Sequence, residues 1–164
     1  NSAFQWFKNP EPVLRNCHRA LRKGGRMGVQ APAGKEYCPN FIRAMKQVET
    51  DPRTADTFAR FRNPWCFLET ADAYTSLFQG AGFTVVFSRI DLVKTPHPPE
   101  EVLKIFESGA AAGYLNQDFY DAPIDGGYVE NARRIIKSAF HGQANDAGLV
   151  ELTFNRIYLV GTKE

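Results

Sequence analysis

Three histidines and three cysteines are the residues of this 164-residue chain best suited to hold a metal or act as nucleophiles. Their spacing argues against both. His18, His97 and His141 lie far apart, beside turn or helix-end signals, and match no metal-ligand pattern. Cys17 and His18 are neighbours, so they share a helix without sharing a face. Cys17, Cys38 and Cys66 lack a close pairing motif and fit buried or inert thiols in a reducing compartment. Nothing near Cys38 would lower its pKa, so a thiolate nucleophile is not encoded there. No nucleophile elbow and no acid pair is present, which puts an unrelated hydrolase last among the readings. No G-x-G-x-x-G turn occurs either. Gly24-Gly25-Arg26-Met27-Gly28 precedes an apolar run instead of following one, so its glycines cannot cradle a phosphate.

The elements that would position a site are easier to read. Asn9-Pro10-Glu11-Pro12 predicts a helix start: Asn is a good N-cap, proline suits the first turn, and Glu11 complements the helix dipole. Val13, Leu14, Cys17, Ala20 and Leu21 form a half-buried stripe, Arg22 and Lys23 fall in the last turn, and Gly24-Gly25 supplies a left-handed ending. Residues 27–33 read as a strand covered on both faces. Residues 34–67 are too long for a simple loop and too aromatic for disorder. Within them Phe41, Ile42, Met45 and Val48 make one stripe, and Asp51-Pro52 marks a new helix start. Thr70 caps a further helix with Tyr74, Leu77, Phe78 and Ala81 on one face, ended by Gly80 and Gly82. Residues 83–93 read as a strand, stopped by Thr95-Pro96-His97-Pro98-Pro99. A short helix over 100–108 turns Val102, Leu103 and Phe106 inward, and 125–140 is the most periodic helix. Residues 149–161 alternate, with Val150, Leu152, Phe154, Tyr158 and Val160 on one side, as a closing antiparallel strand would.

Four stretches together carry a resemblance: Asn1-Ser2-Ala3-Phe4-Gln5-Trp6-Phe7, then Leu21-Arg22-Lys23-Gly24-Gly25 leading into the strand, then Phe78-Gln79-Gly80-Ala81-Gly82-Phe83-Thr84-Val85-Val86, then the tail from Phe154 to Val160. In this order the chain resembles the second half of class I S-adenosylmethionine-dependent methyltransferases, and in particular the trans-aconitate methyltransferase group. The resemblance implies an α/β fold. It would be the C-terminal half of a doubly wound, Rossmann-like methyltransferase sheet, with a helical lid insertion over residues 34–68 and an antiparallel last strand. Residues 1–164 would then be the C-terminal part of one domain. The implied cofactor is S-adenosyl-L-methionine, with Asn1, Ser2, Ala3 and Trp6 near its methyl group or base. The implied partner is a small-molecule acceptor bordered by Gln5, Trp6, Gln30, Pro32 and Tyr114. The plain alternative for Trp6 is a core aromatic that clamps the first helix.

Methyl transfer asks a protein for in-line placement and exclusion of water, because the cofactor supplies the activation. A missing glycine-rich turn is the larger difficulty, since the cofactor crevice of a doubly wound sheet is built by its opening strands. Roughly 90 residues, in three strand–helix units, would supply it. The sequence therefore reads as the later part of a larger domain, inactive by itself. One strand at 27–31 is left without a neighbour and disposed to pair with another copy. Where the family commonly carries an Arg-Pro pair, this chain has Ala112-Gly113. Without that guanidinium to pair with a carboxylate, an aconitate-like acid is disfavoured. A net charge of +2 with both signs scattered gives no footprint for nucleic acid. No apolar run approaches a bilayer span, and no secretory signal is present, so the expected setting is cytoplasmic. The alternative reading is a non-catalytic α/β interaction module that binds a partner through its strand edge. A glycine-rich turn in the coding sequence upstream would decide against that alternative.

Overall fold

Proline, and not a side-chain cap, opens the first helix, α1 (Pro10–Ala20). Asn9 has the extended N-cap backbone, but its side chain makes no capping bond. Pro10 has no N–H to satisfy and a φ already suited to the helix. The computed structural model describes residues 1–164, and α1 ends in it at Ala20, short of Arg22 and Lys23. The chain turns through Gly24 at φ +74° into β1 (Arg26–Pro32). Then follow α2 (Pro39–Thr50), α3 (Ala55–Phe58), α4 (Ala71–Gly80), β2 (Thr84–His97), α5 (Pro99–Ser108), α6 (Ala111–Tyr114), α7 (Gly126–His141) and β3 (Val150–Thr162). The fold is mixed α/β, with one three-stranded sheet of order β1-β3-β2. The last strand runs antiparallel to β1, placing Arg26 opposite Thr162 and Pro32 opposite Arg156.

Residue contacts divide the chain into two units. One comprises Asn1–Tyr37, Trp65–Val93 and Phe154–Glu164; the other comprises Cys38–Pro64 and Lys94–Thr153. In the first, the sheet unit, α1 and α4 cover one face of the sheet. Leu14, Tyr74, Phe78, Ile157 and Leu159 are fully or almost fully buried there, with Phe4, Val29 and Ala31 beside them. Each such large side chain contributes about 1.5–3 kcal/mol by leaving water. Gly161 lets Phe83 lie close against β3, since a Cβ at that position would come within 3.0 Å of the ring. In the second, the helical unit, Phe41 of α2, Phe106 of α5 and Phe140 of α7 meet with ring centroids 5.2–5.9 Å apart.

Four details differ from the sequence reading. Asp51 does not start a helix. Its carboxylate accepts the backbone N–H and the guanidinium of Arg53 at 2.8–2.9 Å, and this closes a turn. α3 begins only behind Thr54, whose hydroxyl donates to the Val48 carbonyl at 2.6 Å. β2 continues through Pro96 to His97; as an outer strand it tolerates a residue without an N–H. β3 does not keep one inward face. Val150 and Leu152 are buried in the helical unit, whereas Ile157 and Leu159, of the opposite parity, are buried in the sheet unit in place of Tyr158 and Val160. β1 is covered on one face and not two: Val29 and Ala31 are buried, while Gly28 is exposed and Gln30 half-buried. The sheet unit has no further helix to lay on that second face.

β1 is also an edge. Ala33 N–H donates to Asn155 O, and Lys163 N–H to Gly25 O, so odd-numbered residues exchange hydrogen bonds with β3. Alternation in an antiparallel ladder then turns the backbone groups of Arg26, Gly28, Gln30 and Pro32 outward. Ser2 N–H takes the Gln30 carbonyl at 2.7 Å. Proline at 32 presents no N–H at all, which blunts that end of the edge.

Candidate functional site

The site is built on the single turn of 3-10 helix at Phe4–Trp6. Phe4 anchors it: the ring is buried against Phe7, Tyr74 and Phe78, with centroids at 6.2, 5.8 and 5.9 Å. Ser2, just before the turn, has φ +48°, the one positive φ outside glycine. A left-handed residue with a Cβ costs about 1–2 kcal/mol. Two hydrogen bonds hold it there. Its N–H donates to Gln30 O at 2.7 Å, and its own carbonyl accepts Gln5 Nε2 at 2.9 Å. The turn is thereby clasped onto β1, and two stretches distant in sequence meet.

Asn1, Ser2 and Ala3 are exposed, whereas Gln5 is buried. Gln5 O accepts Cys66 N–H at 2.8 Å, which lays the 65–67 segment alongside the turn. Trp6 is half-buried and meets Trp65 edge to face at 5.6 Å. Trp65 continues into a cluster with Tyr37 and Phe67, whose centroids lie 4.6–6.0 Å apart. Burial pushes the Cys66 thiol upward, so it is a poor nucleophile. The Oε1 atom of Gln5 is buried and accepts no hydrogen bond. An orphaned acceptor of this kind costs about 1–3 kcal/mol, and it is the most unusual atom of the site.

Gln30 sits on the uncovered face of the sheet. With Asn1, Gly28, Phe87, Tyr158 and Val160 it lines an open, largely apolar groove of about 340 Å³. Its amide reaches the Tyr158 hydroxyl only at 3.5 Å, a weak contact. Pro32 is buried at the end of β1. Tyr114 belongs to the helical unit. There it is buried between Phe61 and Phe106, and its carbonyl accepts the Tyr120 hydroxyl at 2.5 Å. Tyr37, Phe67, Phe87 and Tyr158 were not singled out by sequence reasoning as lining residues. For Tyr158 the signal lies in the alternation of β3, which predicts it on the inward side, whereas Ile157 and Leu159 are the buried positions.

No group of His, Cys, Asp and Glu is disposed to hold a metal ion. His18 packs edge-on against Phe83 at 5.0 Å, His97 faces Glu101 at 3.0 Å, and His141 faces Glu100 at 3.1 Å. No helix is long and apolar enough to cross a membrane. The site offers hydrogen-bonding amides, aromatic surface and a strained turn. It can bind and orient; it holds no acid, base or nucleophile of shifted pKa suited to bond-making.

No family model matches the chain, and no curated protein matches it either. Among solved structures it is similar to a protein of Bacillus halodurans described as a candidate methyltransferase, at 14% identity and a TM-score of 0.47. That match covers 98% of this chain and 61% of the other. It is also similar to the YcgJ protein of Bacillus subtilis, at 12% identity and a TM-score of 0.48, covering 100% and 62%. A phosphoethanolamine N-methyltransferase of Haemonchus contortus, solved with phosphomonomethylethanolamine and S-adenosylhomocysteine, gives 13% identity, a TM-score of 0.38 and coverage of 99% and 32%. The chain thus spans less than two thirds of the length of each of these proteins.

Proposed function

We propose that this chain is the acceptor-side part of an S-adenosylmethionine-dependent methyltransferase that methylates a small molecule. The observation that carries the reading is the clasp between Ser2 and Gln30. The resemblance implicates the Asn1–Trp6 stretch in holding the cofactor and the exit of β1 in facing the acceptor, and one 2.7 Å hydrogen bond joins the two. The antiparallel last strand and the helical excursion after β1 support the same reading. In it, Gln5, Trp6 and Gln30, all of the sheet unit, border the acceptor.

The residues present do not make a site for the whole cofactor. The 164 residues contain no glycine-rich strand–turn–helix, and Asn1, Ser2 and Ala3 are exposed. In the proposed reading this chain alone is inactive. Calorimetric titration of S-adenosylmethionine into the 164-residue chain is expected to show no saturable binding up to about 1 mM, a free energy weaker than about −4 kcal/mol. A chain carrying a glycine-rich strand–turn–helix ahead of Asn1 is expected to bind in the micromolar range. Micromolar binding to the shorter chain would overturn the reading.

The outward edge of β1 supports a second reading, a chain that associates through strand pairing. Gly28 keeps both of its backbone groups directed outward, and the neighbouring groove is apolar. Sedimentation velocity is expected to show mass rising with concentration for this chain and a monomer for Gly28→Pro. A monomer at every concentration sinks this second reading and leaves the first in place.

A further inference from the structure

Gln5 is 7% exposed, and its side chain is only half satisfied. Nε2 donates to Ser2 O at 2.9 Å, while Oε1 has no partner. Turning the amide over does not repair this. Oε1 would then oppose the Ser2 carbonyl, acceptor against acceptor, and Nε2 would become the unpaired atom. The hydrogen bond to Ser2 therefore fixes which atom is left over. That atom is an acceptor, so what satisfies it must bring an N–H or an O–H. The same amide donates to Ser2, the one non-glycine residue with a left-handed φ. Oε1 is buried, so a ligand reaches it only when the Phe4–Trp6 segment shifts, and Ser2 is the strained residue beside that segment. Beside the turn, Trp6 and Trp65 present aromatic surface that suits an alkyl stem or an ammonium group and gives nothing to an anion.

We propose that Gln5 Oε1 is the recognition point for the methyl acceptor, and that the acceptor presents an amine or alcohol there and not a carboxylate. This rests on the methyltransferase reading and names its substrate class. A carboxylate would set lone pairs against the orphaned oxygen, whereas an ammonium or hydroxyl group would complete it with a hydrogen bond, charge-assisted in the ammonium case.

The test uses ethanolamine, which carries both donors, and propionate, of similar size, each titrated into the ¹⁵N-labelled chain. Ethanolamine is expected to shift the Gln5 side-chain amide resonances saturably, and propionate is expected not to. Gln5→Met keeps the length and loses the amide; it is expected to weaken ethanolamine binding about tenfold or more, the worth of one charge-assisted hydrogen bond. Equal shifts with propionate, no shift with ethanolamine, or undiminished binding by Gln5→Met would each overturn the proposal. The second outcome is what a buried water held permanently on Oε1 would produce. Should Gln5→Met fail to fold, the spectra of the unmutated chain decide alone. The outcome is separable from the methyltransferase reading: ethanolamine binding at Gln5 in a protein whose longer chain binds no S-adenosylmethionine keeps the site and removes the methyltransferase.

Discussion

Replacing Phe78 with alanine is expected to lower the stability of the sheet unit by about 3–5 kcal/mol. The ring has no exposed surface and touches Phe4 and Phe83 at centroid distances of 5.9 and 5.5 Å. It stands in α4 with Tyr74 one turn earlier, and both rings reach the covered face of the sheet. Little can collapse into the space it would leave. Phe4 is tied down by the clasped turn, and Phe83 is already pressed against Gly161. The loss therefore belongs to the upper part of that range, a large share of the 5–15 kcal/mol that about one domain possesses. Tryptophan fluorescence during urea unfolding reads this unit specifically, because Trp6 and Trp65 both belong to it. Phe87→Ala is the control. That ring is 43% exposed on the uncovered face, so its removal is expected to change stability by no more than about 0.5 kcal/mol. Equal losses from the two variants would mean that the covered face is not where this unit keeps its core.

The contrast between Phe78 and Phe87 also shows what the sequence could and could not disclose. α4 was legible because its signals are local. Thr70 accepts Ala73 N–H as an N-cap, and Gly82 at φ +97° ends the helix region. α7 was legible for the same reason, with Asp125 accepting Tyr128 N–H and buried Ala132, Ile136 and Phe140 at helical spacing. The strands were less so, because which face is buried depends on what packs against each one. β3 changes its buried parity between Leu152 and Ile157, where it passes from one unit's core to the other's. An alternating pattern read from one end cannot foresee such a change. Pro96 reads as a stop for a similar reason, since only the strand order makes it an edge proline. At the candidate site, the resemblance singled out Gln5, Trp6 and Gln30. The orphaned oxygen was beyond sequence reasoning: it follows from the left-handed Ser2 and from a hydrogen bond to β1, neither of which any residue pattern encodes.

Between pH 10 and 12 the sheet unit is expected to lose about 3 kcal/mol through one tyrosine. Burial pushes the Tyr74 hydroxyl up to about 12 from its ordinary 10.0, against the smaller opposing pull of the Leu68 N–H that it accepts at 3.3 Å. Below pH 10 the folded and unfolded chains both keep the phenolic proton, so the group contributes no pH dependence. Above pH 10 the unfolded chain releases the proton while the folded chain retains it, and unfolding is favoured by about 1.4 kcal/mol per pH unit. Above pH 12 both forms are ionised, and this group adds no further slope. In the helical unit, burial pushes Tyr120 and Tyr128 upward as well, and for Tyr120 the hydrogen bond it shares with Tyr128 at 2.7 Å acts in the same sense. Alkali therefore works against both units, and a single substitution isolates the part due to Tyr74. Tyr74→Phe gives up one hydrogen bond, so at about pH 9 it should be less stable by roughly 0.5–1.5 kcal/mol. Between pH 10 and 12 its urea midpoint should fall less steeply than that of the unmutated chain, until the variant becomes the more stable of the two. Parallel declines across that interval would mean that Tyr74 ionises as readily folded as unfolded, and that its burial carries no electrostatic consequence.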